Sequence, residues 1–184
     1  MSKRIYLDWN ATAPLRPAAR AAMLAALDQV GNASSVHAEG RAARHLVETA
    51  REQVAALVGA EPRNVVFTSG GTEANALALT PTLERGGDRQ PRDRLLISAI
   101  EHPSVRSGGR FPPNAVEEIA VTPDGVVDLT ALAGRMAELA GQGARVLVSI
   151  MHANNETGVV QPIAAAAELA HAAGALLHVD AVQT

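Results

Sequence analysis

Short apolar runs alternate with segments of helical periodicity between residues 65 and 180, and this alternation constrains the fold most. Strands separated by helices need crossover connections, which favour a largely parallel sheet covered on both faces. The sequence therefore predicts an α/β protein with a mainly parallel sheet in a three-layer α/β/α arrangement. The predicted strands are 65–68, 95–99, 117–121, 146–151 and 176–180, and the predicted helices are 17–30, 40–58, 72–79, 129–140 and 163–173.

The composition disfavours several classes of protein. The chain has 184 residues, of which 47% are hydrophobic and 19% are charged, which is typical of a soluble globular protein. A formal net charge of −3 disfavours a dedicated nucleic-acid binder. No apolar run approaches the ~20 residues of a membrane span, and the first residues lack the apolar core of a secretory signal. We therefore expect a cytoplasmic protein with neither a nucleic-acid nor a membrane partner.

Cysteine and lysine usage limit the chemistry further. The chain has no cysteine, so it has no disulfide, thiolate metal site or cysteine nucleophile of its own. Lys3 is the only lysine. The segments 86–94 and 107–114 are interpreted as surface loops, although a helix could start at Pro103. The sequence stops just past a predicted strand, whose edge would need a cover, so we expect it to end within a domain.

The segment SGGTEANALAL, residues 69–79, follows a predicted strand and opens a predicted helix. Glycines let the backbone approach an anion, and the amides of a first helical turn point towards it. The hydroxyl of Thr72 adds a further donor, so this turn is a candidate cradle for a phosphate monoester. The alternative is a tight turn in which Thr72 or Ser69 caps the helix.

Three more polar clusters follow predicted strands. Asp180 ends a buried run, where a carboxylate needs a partner such as a pyridinium nitrogen, or else caps a following helix. In the sequence Glu101-His102-Pro103, the imidazole could stack on a flat cofactor or move protons, or it could be a plain surface histidine. The segment MHANNETG, residues 151–158, has the composition of a turn, and its asparagine amides could also bind an oxygen.

Parallel strands end at one edge of a sheet, so these clusters should converge. In open α/β sheets ligands bind outside the carboxyl ends of the strands. We therefore expect Ser69, Glu101, His152 and Asp180 to lie at or just beyond strand ends on one edge. The remaining histidines, His45, His171 and His178, are interpreted as solvated or structural, and no residue spacing predicts a metal site.

Six segments, in order from Tyr6 to Gln183, carry a specific resemblance: YLDWNATAP, GNASSVHAEG, VVFTSGGTEANALAL, SAIEHPSV, VSIMHANNETGVVQPI and LLHVDAVQ. Together they resemble the cysteine desulfurases, in the class V branch of the fold-type I pyridoxal-phosphate-dependent enzymes. The resemblance is greatest to the nitrogen-fixation and iron–sulfur-assembly types. It implies that 1–16 is an N-terminal segment and that 17–184 is the incomplete N-terminal part of the cofactor-binding large domain.

The resemblance implies a contact with pyridoxal 5′-phosphate for four residues. Gly71 and Thr72 would hold the phosphate. Asp180 would pair with the pyridine nitrogen, and Gln183 would bond the phenolic oxygen.

The resemblance also implies roles beside the ring. His102 would stack on the pyridine ring and act as the catalytic residue that moves protons, and Asn155 would approach the ring hydroxyl and the substrate. The segment 31–37 would form an ordered loop near the site or a dimer contact, with Ala33 where the family usually has proline.

For the whole protein the resemblance implies a homodimer that takes sulfur from L-cysteine. The products would be alanine and an enzyme persulfide, delivered to a sulfur acceptor or an iron–sulfur scaffold protein. A selenocysteine lyase or another class V enzyme is an alternative, because the cofactor cradle is shared.

The resemblance places two required residues outside this sequence. The lysine that binds the cofactor and the cysteine that carries the persulfide both lie downstream of the last motif, and Lys3 cannot be aligned with that lysine. We therefore expect at most weak, non-covalent cofactor binding and an inactive chain on its own. A non-catalytic truncated product is the further alternative.

Overall fold

The computed structural model of the chain describes residues 4–83, 87 and 90–184. The chain divides into two units, Met1–Phe67 and Thr68–Thr184. Lys3 and residues 86, 88 and 89 of the predicted loop lie outside the described residues. None of the helices in the described ranges combines the length and apolar character needed to cross a membrane. The assignment of 1–16 as a separate segment stays a prediction.

The first unit contains two helices, α1 (Pro17–Leu27) and α2 (Ala38–Val58), and a short 3-10 turn at Pro62–Asn64. Proline occupies the first turn of α1, as predicted, but the helix ends three residues earlier than the predicted position 30. Helix α2 ends at Gly59, whose φ of 65° is the left-handed conformation that glycine adopts without strain. Both predicted helices are thus present with shifted ends.

The predicted strand at 65–68 is wrong, because the segment belongs to no strand. Val66 and Phe67 are exposed, and the Arg51 guanidinium lies 5.2 Å from the centre of the Phe67 ring. The Val65 carbonyl accepts a hydrogen bond from Arg51 Nη1. An extended segment forms a strand only where a neighbouring strand pairs with its backbone hydrogen-bonding groups. The apolar composition of the segment does not show whether such a neighbour exists.

The second unit is built on a four-stranded sheet of β1 (Arg94–Ser98), β2 (Val116–Ile119), β3 (Val146–Ser149) and β4 (Leu176–His178). The strand order is β2-β1-β3-β4, and every pairing is parallel. The prediction of a parallel sheet is confirmed, although each strand ends one or two residues before its predicted end. The accompanying helices are α3 (Gly71–Ala78), α4 (Pro103–Arg106), α5 (Leu129–Gly141) and α6 (Ile163–Ala172), with a 3-10 turn at Pro113–Ala115.

Helices cover both faces of the sheet, which confirms the three-layer arrangement. Helices α5 and α6 pack on one face, while the end of α3 and helix α4 pack on the other. Side chains alternate along β1, so that Leu96 faces the first layer while Leu95 and Ile97 face the second. The buried contacts are Leu96, Val148, Leu132, Met136, Ala166 and Ala170 on the first face, and Leu95, Ile97, Leu147, Leu79, Val105 and Phe111 on the second.

Candidate functional site

The carboxyl ends of three strands meet at one edge of the sheet. Glu101 follows β1, His152 follows β3 and Asp180 follows β4. The His152 amide donates to the Asp180 carbonyl at 2.8 Å, and the Met151 amide donates to Glu101 Oε1 at 2.6 Å. The predicted convergence of these three residues is confirmed. Ser69 does not follow a strand, because the predicted strand before it is absent, and it lies instead just before α3.

Helix α3 begins with an open first turn. The amide and hydroxyl of Ser69 both donate to Glu73 Oε2, at 2.7 and 2.6 Å, and these bonds lower the pKa of Glu73. The N-cap position is Gly70, which offers no side chain as a cap. A Cβ added at Gly70 or Gly71 would meet nothing within 4 Å. Space for an anion therefore lies against these amides, beside the exposed side chain of Thr72.

A hydrogen-bond chain links α3, α4 and the end of β4. Asn75 is buried on α3, and its Nδ2 donates to Asp180 Oδ2 at 2.9 Å and to Ser104 Oγ at 3.0 Å. Ser104 Oγ in turn lies 2.7 Å from His102 Nδ1. The predicted site residues His102 and Asp180 are thus joined through two residues that sequence reasoning did not single out.

Signals for these two linking residues exist but are weak. Asn75 is the polar residue inside the apolar run ANALAL, which marks a buried amide that needs partners. Ser104 stands two residues after His102, in the first turn of a helix that is only four residues long. Neither pattern predicts which partner the side chain meets, because the partners come from other elements.

His102 lies at the start of α4, where its Nδ1 accepts from the Ser104 amide at 3.2 Å. Its ring is exposed and lines a cavity of about 450 Å³ together with Glu101 and Asn155. The possibility of a helix starting at Pro103 is confirmed, with His102 as its cap. A flat ligand in this cavity would therefore contact the imidazole.

Glu101 is a buried carboxyl at the centre of the edge, with 4% of its surface exposed. Its Oε1 accepts from the Ser98 hydroxyl at 2.6 Å and from the Met151 amide, whereas Oε2 has no hydrogen-bond partner among the described residues. Burial raises the pKa of Glu101 to about 7, and the charge of Asp180 adds to the rise. The residue thus holds β1 to β3 and takes up a proton at a higher pH than an ordinary glutamate does.

The remaining predicted residues lie around this edge. Asp180 Oδ1 accepts from the Val182 amide at 3.2 Å, which turns the chain after β4. Gln183 follows three residues after Asp180, and both Gln183 and Asn155 are half-buried. Asn154 ties the next loop down, because its Nδ2 donates to the Ile100 carbonyl at 3.1 Å.

The histidines interpreted as solvated or structural, His45, His171 and His178, agree with that interpretation. His178 Nδ1 lies 2.8 Å from the buried Ser149 hydroxyl, and burial lowers the pKa of His178. His45 and His171 lie exposed on α2 and α6. In the described part of the chain no three His, Cys, Asp or Glu residues are grouped to hold a metal ion.

A larger cavity, of about 750 Å³, lies at the opposite edge of the sheet. It is lined by residues around the amino ends of β3 and β4, including Arg145 and Gly174. None of the predicted site residues lines it, and in open parallel sheets the amino edge is not the usual place for a ligand. The smaller cavity at the carboxyl edge is the better candidate, because His102 and Asn155 line it. The other predicted site residues, Gly71, Thr72, Asp180 and Gln183, lie outside its lining.

Comparison with known families shows which family the chain belongs to. The model of the family described as aminotransferase class-V matches residues 5–184. This chain belongs to the aminotransferase class V family. A cysteine desulfurase of Cereibacter sphaeroides is 42% identical over 187 residues, covering 98% of this chain and 46% of that protein. An IscS-like cysteine desulfurase of Mycobacterium tuberculosis is 39% identical and covers 97% of this chain and 46% of that protein.

Solved structures agree with this family. The NifS-like protein from Rickettsia africae matches with a TM-score of 0.80 and 35% identity, covering 95% of this class V chain and 47% of that chain. A structure of SspA in complex with cysteine matches with a TM-score of 0.78 and 28% identity. The match covers 97% of this chain and 51% of that chain. The chain thus spans about half the length of the curated relatives it matches.

Proposed function

We propose that this class V chain supplies the cofactor cradle of a pyridoxal-phosphate-dependent cysteine desulfurase. The complete protein would take sulfur from L-cysteine and give alanine and an enzyme persulfide for iron–sulfur cluster assembly or other sulfur delivery. The observation that carries the proposal is the hydrogen-bond chain from Asp180 through Asn75 and Ser104 to His102. Asn75, in the middle of these hydrogen bonds, lies on α3, the helix whose open first turn carries Thr72.

The residues at the edge fit the two ends of pyridoxal 5′-phosphate. The uncapped first turn of α3, with free space at Gly71 and the hydroxyl of Thr72, suits a phosphate monoester. Asp180, held by Asn75, would accept a hydrogen bond from a protonated ring nitrogen. The exposed imidazole of His102 would stack on the ring between these ends.

The chemistry divides between the cofactor and the chain. When bound, pyridoxal 5′-phosphate supplies an electron sink for the substrate's α-carbon. Asp180 would keep the ring nitrogen protonated, which maintains that sink. Asn155 and Gln183 would approach the oxygen on the ring, and Asn155 would also approach the substrate.

Two groups needed for turnover are absent from the 184 residues. The sequence has no cysteine to carry a persulfide, and its one lysine, Lys3, precedes the first motif. We propose that this chain alone binds the cofactor weakly and without a covalent bond, and that it does not desulfurate cysteine.

The proposal extends to the oligomeric state and cellular location of the complete protein. It would act as a cytoplasmic homodimer that passes sulfur to an acceptor or scaffold protein. Support for self-association comes from α1, in which no residue is buried and Met23, Leu24 and Leu27 are exposed. Apolar surface of this kind on a soluble protein commonly marks an interface.

Replacing Thr72 by valine tests the cradle. The substitution keeps the side-chain shape but removes the hydroxyl that would donate to the phosphate. Losing one hydrogen bond to an anion is worth about 1–2 kcal/mol, so we expect the dissociation constant for pyridoxal 5′-phosphate to rise about five- to thirtyfold. Equilibrium dialysis with the intact 184-residue chain measures this constant.

Thr130→Val is the matched control. Thr130 is the second residue of α5, as Thr72 is of α3, but the first turn of α5 is capped by Asp128, whose Oδ1 accepts from the Thr130 and Ala131 amides at 2.9 Å. Thr130→Val should therefore leave cofactor binding unchanged. Equal affinities for wild type and Thr72→Val would reject the phosphate role of Thr72.

A further inference from the structure

The backbone amide of Ser104 fixes the chemical state of His102 Nδ1. This amide points at Nδ1 with a nitrogen–nitrogen distance of 3.2 Å. A backbone N–H can only donate, so Nδ1 must present a lone pair. In a neutral imidazole the single proton is then on Nε2.

The side chains behind His102 enforce the same arrangement. Asn75 Nδ2 has two hydrogens, and its two acceptors are Asp180 Oδ2 at 2.9 Å and Ser104 Oγ at 3.0 Å. With Ser104 Oγ accepting from Asn75, the hydroxyl hydrogen is available to His102 Nδ1, 2.7 Å away. Each donor hydrogen of the Asn75 and Ser104 side chains has an acceptor when Asn75 donates to Ser104 and Ser104 donates to His102.

The opposite tautomer disrupts this arrangement. A proton on Nδ1 would face the Ser104 amide hydrogen directly, and the Ser104 hydroxyl would lose its acceptor. The Nε2–H tautomer keeps both hydrogen bonds to Nδ1 and avoids the contact between two donor hydrogens, so the network favours it. Asn75 is 5% exposed, which protects its two bonds from competition with water.

We propose that Asn75 and Ser104 are positioning residues that hold neutral His102 as its Nε2–H tautomer, so that Nε2 donates a hydrogen bond to a bound ligand and does not act as a base there. The ligand group opposite Nε2 is accordingly a hydrogen-bond acceptor, such as an anionic or carbonyl oxygen or an imine nitrogen. The inference rests on the proposed function only in assigning that ligand to the cofactor site.

The tautomer is measured directly by nuclear magnetic resonance. The intact chain, labelled with ¹⁵N in its histidines, is studied without cofactor at about pH 8.5, where ordinary histidines are neutral. Two-bond proton–nitrogen correlations distinguish the tautomers, and the His102 signals are assigned by their loss in His102→Gln. We expect an unprotonated Nδ1 and a protonated Nε2. A His102 ring protonated mainly on Nδ1 would overturn the proposal.

Variants at Ser104 separate positioning from a general structural role. Removing the hydroxyl in Ser104→Ala should raise the Nδ1–H population about fivefold, as expected for one lost neutral hydrogen bond. Ser104→Thr, which restores a hydroxyl, should return the wild-type pattern. Ser107→Ala is the matched control, because Ser107 lies directly after the same helix and its hydroxyl donates to the Ser104 carbonyl at 3.1 Å.

The outcomes distinguish this inference from the proposed function. An unchanged tautomer population in Ser104→Ala would remove Ser104 from the proposal. If a variant fails to fold, the wild-type spectrum still decides the tautomer. Dialysis with pyridoxal 5′-phosphate is read separately. Failure to bind with the Nε2–H tautomer present would reject the proposed cofactor binding by this chain and leave the tautomer assignment intact.

Discussion

Replacing Glu101 by glutamine is expected to stabilise the chain above neutral pH by about 3 kcal/mol. Burial raises the pKa of Glu101 to about 7, whereas an unfolded glutamate has the ordinary value of 4.5. The folded state therefore binds the proton more tightly, and the stability that this proton contributes is lost as pH rises from about 4.5 through about 7. Glutamine stays neutral at every pH and keeps an oxygen for the Ser98 and Met151 donors.

Chemical denaturation followed by circular dichroism, repeated between about pH 5 and pH 8, measures this difference. The stability gain of Glu101→Gln should be small at the acid end and should grow as pH rises. His178, whose pKa is lowered by burial, destabilises the fold at acid pH, but it is present in both proteins and cancels in the comparison. Glu118→Gln is the control on β2, an exposed partner of Arg106, and should show no comparable growth. A gain for Glu101→Gln that is constant across the range would show that Glu101 stays ionised.

Replacing Gly109 by alanine is expected to destabilise the second unit by at least about 3 kcal/mol. Gly109 has a φ of 59°, and its added Cβ would lie 2.4 Å from the carbonyl oxygen of Leu79 and 2.5 Å from the Leu79 Cβ. Leu79 is fully buried directly after α3, and its carbonyl accepts from the Arg110 amide at 2.9 Å. The clash is with backbone and core atoms that cannot move freely, so α3 itself would have to shift.

Gly143→Ala is the matched control for this effect. Gly143 has a φ of 75°, but a Cβ there would meet nothing within 4 Å. It should therefore cost only the conformational strain of about 1–2 kcal/mol. Denaturation midpoints of the two variants give the comparison, and equal losses would mean that the turn at Gly109 is not held against Leu79.

The position of the candidate site was predictable because it depends on topology. The alternation of strands and helices predicts parallel strands, and parallel strands place Glu101, His152 and Asp180 at one edge. This inference needs only approximate strand positions, so end shifts of one or two residues did not affect it. The predicted start of α3 at Thr72 lies one residue after the observed start at Gly71, because a pair of glycines marks this boundary in the sequence.

The connections within the site were not predictable in the same way. The contacts of Asn75 with Asp180 and Ser104 join residues 105 and 29 positions apart, and their distances depend on how α3 packs beside α4 and β4. The burial of Glu101 likewise follows from the packing of three strand ends. The wrong strand at 65–68 has a related cause, since a strand is defined by a partner that the local sequence does not reveal.

Amide chemical-shift mapping during titration with pyridoxal 5′-phosphate tests most directly whether the carboxyl edge of the sheet is the cofactor cradle. The ¹⁵N-labelled chain should show its largest shifts at Gly71, Thr72, Ser104 and Asp180. Titration with pyridoxal, which lacks the phosphate, should diminish the shifts at Gly71 and Thr72 and preserve a shift at Asp180. Shifts confined to the cavity at the opposite edge, around Arg145 and Gly174, with Gly71 and Asp180 unchanged, would contradict the account.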